Sequence, residues 1–152
     1  MKSFRGKVAV ITGAASGMGR ELAQAFAPAR EVFEAVDETL KQNLTRLMFE
    51  GPAEELTLTA NAQPALMAVS MAVVRVLEAQ GYKVWEKAAF VAGHSLGEYS
   101  AHAAAGTFTI ADAARLLRVR GNAMQAAVPA GAAAVRRAAH EVPRRSGAHE
   151  IG

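Results

Sequence analysis

Gly93-His94-Ser95-Leu96-Gly97 sets a hydroxyl between two glycines. It follows an apolar run, Ala88 to Ala92, that reads as a buried strand, and it precedes a helical stretch from Glu98 to Ala105. The pattern therefore fits G-x-S-x-G in a strand–turn–helix context, the setting of a nucleophile elbow. The chemistry such a turn serves is attack on an acyl carbonyl. A sharp turn carries the Ser95 hydroxyl clear of the backbone, and the flanking glycines keep neighbouring atoms away. The next backbone N–H, that of Leu96, is then available to the carbonyl oxygen under attack. The helix N-terminus adds a partial positive charge. The pattern alone is common, and the plain alternative is a strand-to-helix turn in which Ser95 caps the helix.

A second chemistry-bearing segment lies near the N-terminus. Thr12-Gly13-Ala14-Ala15-Ser16-Gly17-Met18-Gly19 follows the apolar run Val8 to Ile11 and opens a helix. Gly13, Ser16, Gly17 and Gly19 would let the backbone approach a pyrophosphate at the helix N-terminus. The loop resembles the T-G-x-x-x-G-x-G loop of short-chain dehydrogenases over Met1 to about Ala23, which implies NADP as a ligand. The rest of that family's pattern does not follow. Asp37 falls in a helical pattern rather than at the end of a second strand. Neither tyrosine has a lysine four residues on: Glu86 follows Tyr82 and Ala103 follows Tyr99. The plain alternative is a turn that uses glycine for its geometry.

The groups available to help a serine are few. The chain has 4 histidines, His94, His102, His140 and His149, and no cysteine. Disulfides, thiol catalysis and cysteine-ligated metals are excluded, and no metal site is expected. His94 adjoins Ser95 but reads as structural. His102 lies two helical turns beyond Ser95, too far for contact.

The elements that must position these residues follow from apolar spacing. Lys7 to Thr12 reads as a buried strand and Arg20 to Ala27 as a helix. Pro28 breaks or restarts that helix, and Ala29 to Gln42 presents Val32, Phe33, Val36 and Leu40 on one face. Thr45 to Phe49 is a short helical or irregular piece, and Gly51-Pro52 is punctuation. Asn61 to Pro64 opens a helix, with Pro64 in its first turn, that runs to about Gln80 and stops at Gly81. Its apolar stretch, Ala65 to Leu77, is too short to cross a bilayer and reads as buried. A last helix starts at Thr109 or Ile110, carries Asp112 in its first turn, and continues to about Ala127. Strands alternating with helices predict an α/β fold. The sheet would be parallel and incomplete, with flanking helices and the elbow at Ser95. Residues 1–131 form a partial α/β domain, and 132–152 an Ala/Arg-rich tail expected to be poorly ordered.

Composition bounds the partners. Of 152 residues, 51% are hydrophobic and 6% aromatic, enough for a core built mostly of small side chains. The net charge is +3, and the segment from Ala132 to Gly152, with four arginines and two glutamates, carries +2 of it. The body is near neutral without a basic stripe, so neither nucleic acid nor a membrane is expected as a partner. The absence of cysteine fits a cytoplasmic protein.

Several motifs in order then carry a closer resemblance. Gly93 to Ala101 (Gly-His-Ser-Leu-Gly-Glu-Tyr-Ser-Ala) resembles the active-site segment of malonyl-CoA:acyl carrier protein transacylases. Upstream, Ala25 to Phe33 resembles that family's first helices. Leu56 to Leu66 resembles its T-x-x-x-Q-P-A-L segment. Downstream, Leu117 to Gln125 resembles its R-G-x-x-M-Q segment. The likeness runs from about Gly17 to Pro129 and resembles the first half of a member. It implies that Ser95 accepts a malonyl group as an ester from malonyl-CoA, with Leu96 N–H as an oxyanion donor. Arg120 would grip the malonate carboxylate, which a permanently charged guanidinium can bind with two parallel bonds. The acceptor implied is acyl carrier protein, in fatty acid biosynthesis, with no cofactor. The same resemblance implies two groups not found here. One is a histidine base beyond the R-G-x-x-M-Q segment. The other is an oxyanion glutamine in a G-Q-G-S-Q loop, where Ile11 stands. The chain thus reads as a chimera joined near Gly17, with impaired turnover and apolar surface left open to self-association.

Overall fold

The apolar period that starts at Val32 is realised as a core. The computed structural model describes residues 18–127, and among them eight helices form: α1 (Met18–Ala25), α2 (Ala27–Leu40), α3 (Leu44–Glu50), α4 (Ala53–Leu56), α5 (Thr59–Ala79), α6 (Val84–Lys87), α7 (Gly97–Ala104) and α8 (Ile110–Ala127). Helix α5 is the hub and packs chiefly against α8 and α2, and also against α1 and α7. Val32, Phe33 and Val36 of α2, Met67 and Met71 of α5, and Ala113, Ala114 and Leu117 of α8 are all buried. Small residues at these contacts let the helices approach closely. A Cβ on Gly121 would come within 2.6 Å of the Ala60 Cα and 2.7 Å of the Thr59 carbonyl oxygen, so only glycine allows α8 to cross the start of α5 as it does. Phe33 and Phe49 meet edge to face at 5.7 Å and close the α2–α3 corner.

The helix ends follow their local chemistry. Pro28 sits in the first turn of α2, where its missing N–H costs nothing, so it restarts rather than ends the helical path. Asn43 caps α3 by accepting the Arg46 N–H at 2.9 Å. Thr109 Oγ accepts the Asp112 N–H at 3.0 Å and donates its own proton to the Asp112 carboxylate at 2.6 Å, a reciprocal cap for α8. Those bonds, with Thr109's side chain the larger contributor, hold the Asp112 carboxyl below its ordinary value.

Three expectations are corrected. Helix α5 starts at Thr59, so Pro64 is its sixth residue and not in its first turn; the ring is fully buried and packs as core. At 21 residues α5 is long and apolar enough to cross a membrane. Length therefore does not set it apart from a spanning helix; its burial between α2 and α8 does. Finally, Ala88 to Ala92 is neither buried nor a strand: Phe90 is 92% exposed, and no β-ladder forms among the described residues. A strand exists only with a pairing partner, and the other expected strand, Lys7 to Thr12, lies outside the described residues, as does the tail from Ala132. The single-turn helices α4 and α6 carry no periodic signal and were not anticipated.

Candidate active site

Gly93 to Gly97 forms the sharp turn that leads into α7. A Cβ on Gly93 would lie 2.0 Å from the carbonyl carbon and oxygen of Gly97, so the turn closes only because residue 93 has no side chain. Ser95 takes φ = +58°, a left-handed conformation that is strained for any residue with a side chain. It is one of two non-glycine residues with positive φ among those described, the other being the Lys41 cap of α2. Strain held at an exposed serine that opens a helix is the geometry of a nucleophile elbow. The turn's hydrogen bonds run from Gly97 N–H to the His94 carbonyl (2.9 Å) and from Glu98 N–H to the Ser95 carbonyl (3.2 Å). Leu96 N–H has no backbone acceptor among the described residues, which leaves it available as an oxyanion donor.

Arg120 reaches this turn from the middle of α8. Its Nη2 donates to Ser95 Oγ at 3.0 Å. A guanidinium can only donate, so the serine oxygen is the acceptor and its own proton remains free for a base. The Arg120 carbon Cζ also lies 6.0 Å from the centre of the Tyr99 ring. Its Nη1 donates to Oε1 of Gln63, a residue of α5 that is only 3% exposed. The structure brings Ser95 and Arg120 together. Gln63 was noted only as part of a motif. The signal for it is a polar residue on the buried side of an otherwise apolar helix.

A second arginine, Arg118, points the other way from α8. It donates to Asn61 Oδ1 at 2.8 Å and to Gln42 Oε1, tying α8 to α5 and to the end of α2. Its partners are neutral amides, and burial pulls its pKa below the usual arginine value.

Neither described histidine serves Ser95. His94 is exposed and offers only its carbonyl to the turn. The His102 ring packs at a tilt against Phe108 with centroids 5.0 Å apart, and it lines an open groove of about 530 Å³ with Val91, Gly93 and Glu98. His140 and His149 lie outside the described residues. No cluster of three or more potential metal ligands occurs among the described residues.

Of the dinucleotide-binding alternative, Gly13, Ser16 and Gly17 lie outside the described residues. Gly19 is buried in the first turn of α1, where a Cβ would meet Val69 at 3.3 Å, Phe49 at 3.5 Å and Phe33 at 3.6 Å. It is a packing glycine that seats α1 on the core.

The described residues thus hold an exposed left-handed serine at a helix start with an arginine on its oxygen. The chain belongs to the acyl transferase domain family, whose model matches residues 12–150. That match takes in both the whole Gly-rich loop, Thr12 to Gly19, and most of the Ala/Arg-rich tail. Within the family its relatives are malonyl-CoA–acyl carrier protein transacylases. The Bacillus subtilis (strain 168) protein of that name is 50% identical over 119 residues, which are 78% of this chain and 36% of the relative. The acyl-carrier-protein-S-malonyltransferase structure from Bartonella henselae is similar at 65% identity with a TM-score of 0.72, over 76% of this chain and 38% of that one. A solved complex of a type II PKS acyl-carrier protein with its malonyl-transacylase matches at 43% identity and a TM-score of 0.69, over 76% of this chain and 36% of that one. The chain thus spans well under half the length of these relatives.

Proposed function

We propose that Ser95 accepts a malonyl group from malonyl-CoA and passes it to acyl carrier protein, the transfer step that supplies fatty acid biosynthesis. The observation that carries this reading is the pairing of a left-handed Ser95 with Arg120 Nη2 at 3.0 Å. Ser95 Oγ attacks the thioester carbonyl and loses its proton to solvent. The carbonyl oxygen becomes an oxyanion, to which Leu96 N–H donates. The C–S bond then breaks, the coenzyme A thiolate leaves and takes a proton, and an acyl-serine ester remains. Attack by the carrier's phosphopantetheine thiol reverses the sequence on the new sulfur and restores the serine. Arg120 exchanges the serine oxygen for the substrate's free carboxylate, which selects a malonyl over an uncharged acyl group.

Among the described residues the side-chain partner of Ser95 Oγ is the donor Arg120, and the proton acceptor that acyl transfer requires is not among its contacts. The parallel α/β sheet belongs to the same reading: Ala88 to Ala92 enters the elbow where the strand of such a fold would, and it pairs when its partner is present. No cofactor takes part, and the cytoplasm supplies both substrates.

The test is to incubate the purified chain with malonyl-CoA and weigh it intact, beside Ser95→Ala. The expected result is a slowly formed malonyl adduct on the wild type and none on the variant. A folded wild type that stays unmodified under prolonged incubation overturns the assignment of acyl transfer to this chain.

A further inference from the structure

An arginine side chain has four rotatable bonds and loses rotamer entropy when it is fixed. Arg120 is half-buried, and nothing in the sequence of α8 itself holds its head group over Ser95. The structure supplies a holder from the neighbouring helix. Gln63 Oε1 accepts from Arg120 Nη1. The Gln63 amide nitrogen donates to Thr59 Oγ1 at 2.8 Å, one turn earlier on α5, and lies 3.4 Å from Met124 Sδ. The orientation of this amide is fixed by donor–acceptor logic. The guanidinium can only donate, so it must face the oxygen, and the NH₂ must then face the hydroxyl and the thioether. The bond is charge-assisted and partly buried, so it is stronger than a surface contact between neutral groups.

We propose that Gln63 is a positioning residue, anchored by Thr59, that pins one amino group of Arg120 and so keeps the other on the Ser95 oxygen. This rests on the reading of Arg120 as the carboxylate-binding group, but it concerns the arginine's order and not the acyl step. A glutamine is suited to the task. It holds the cation without neutralising it, so the full charge remains for an incoming carboxylate. Glutamate would hold Arg120 as firmly while competing with the substrate.

The test is side-chain ¹⁵N NMR of the full chain, with the Arg120 guanidinium assigned by its loss in Arg120→Lys. Pinned Nη groups rotate slowly and give resolved signals; a free guanidinium gives averaged ones. The wild type is expected to show resolved Arg120 signals, Gln63→Leu averaged ones, and Gln63→Glu resolved ones again. Averaged Arg120 signals in the wild type overturn the proposal, as do resolved signals in a folded Gln63→Leu. Should Gln63→Leu fail to fold by circular dichroism, Thr59→Val decides. Faster averaging there supports the anchor, and unchanged signals refute it. Malonyl adduct formation is read separately, so a chain that never acylates can still confirm or refute the pinning.

Discussion

Replacing Gly121 with alanine sets two effects against each other, and the geometry decides between them. Alanine is the better helix former by about 1 kcal/mol, so on an exposed helix the change stabilises. Here the new Cβ would lie 2.6 Å from the Ala60 Cα, 2.7 Å from the Thr59 oxygen and 3.0 Å from the Ala60 nitrogen. All three are backbone atoms, so no side chain can rotate away. Relief requires α8 to move off α5 by most of an ångström along the most extensive helix contact among the described residues. Overpacking of this kind costs about 1–3 kcal/mol, and the upper end applies where backbone meets backbone. The net expectation is a loss of about 2 kcal/mol, which lowers the melting temperature by roughly 4–8 °C for a chain of this size. Thermal unfolding followed by circular dichroism reads this directly. An unchanged or higher melting temperature would refute the close α5–α8 approach and the placement of Arg120 that depends on it.

Two further expectations follow from the turn and the α8 cap. Gly93→Ala should abolish Ser95 acylation while leaving the helical circular dichroism intact, because its Cβ collides with the Gly97 carbonyl. Gly97→Ala, with nothing within 4 Å of its Cβ, should be tolerated; equal loss in both would show that the turn does not close as described. For Asp112, the folded carboxyl titrates below its ordinary 3.8, so its contribution is present above that value and is lost as pH falls through the lowered folded value. Asp112→Asn should therefore flatten the stability–pH profile below about pH 4, and an unaltered acid limb would count against the Thr109–Asp112 cap.

The helices were legible where a long apolar period met a core. Val32, Phe33 and Val36 repeat at helical spacing, and all three are buried in α2. The start of α5 was misplaced because Pro64 reads as a first-turn residue. In fact its buried ring fits an interior position near the N-terminal end, where a single backbone bond is lost. The run from Ala88 to Ala92 could not be judged alone, since apolar residues announce burial but not the partner that provides it. At the site, Ser95 was readable from its glycines, because a tight turn writes itself into local sequence. The link from Arg120 to Gln63 spans 57 residues and depends on how α5 crosses α8. No local pattern encodes that crossing, except that Gly121 and Ala60 are both small.

The dihedral angle at Ser95 has a practical consequence for anyone engineering this chain. A side chain at φ = +58° carries on the order of 1 kcal/mol or more of backbone strain that glycine would not. Every library selected for heat resistance alone will therefore favour glycine at residue 95 and discard the hydroxyl. Ruggedness and reactivity pull this one position in opposite directions, so a hardened scaffold that is to keep its chemistry must be built with residue 95 held fixed.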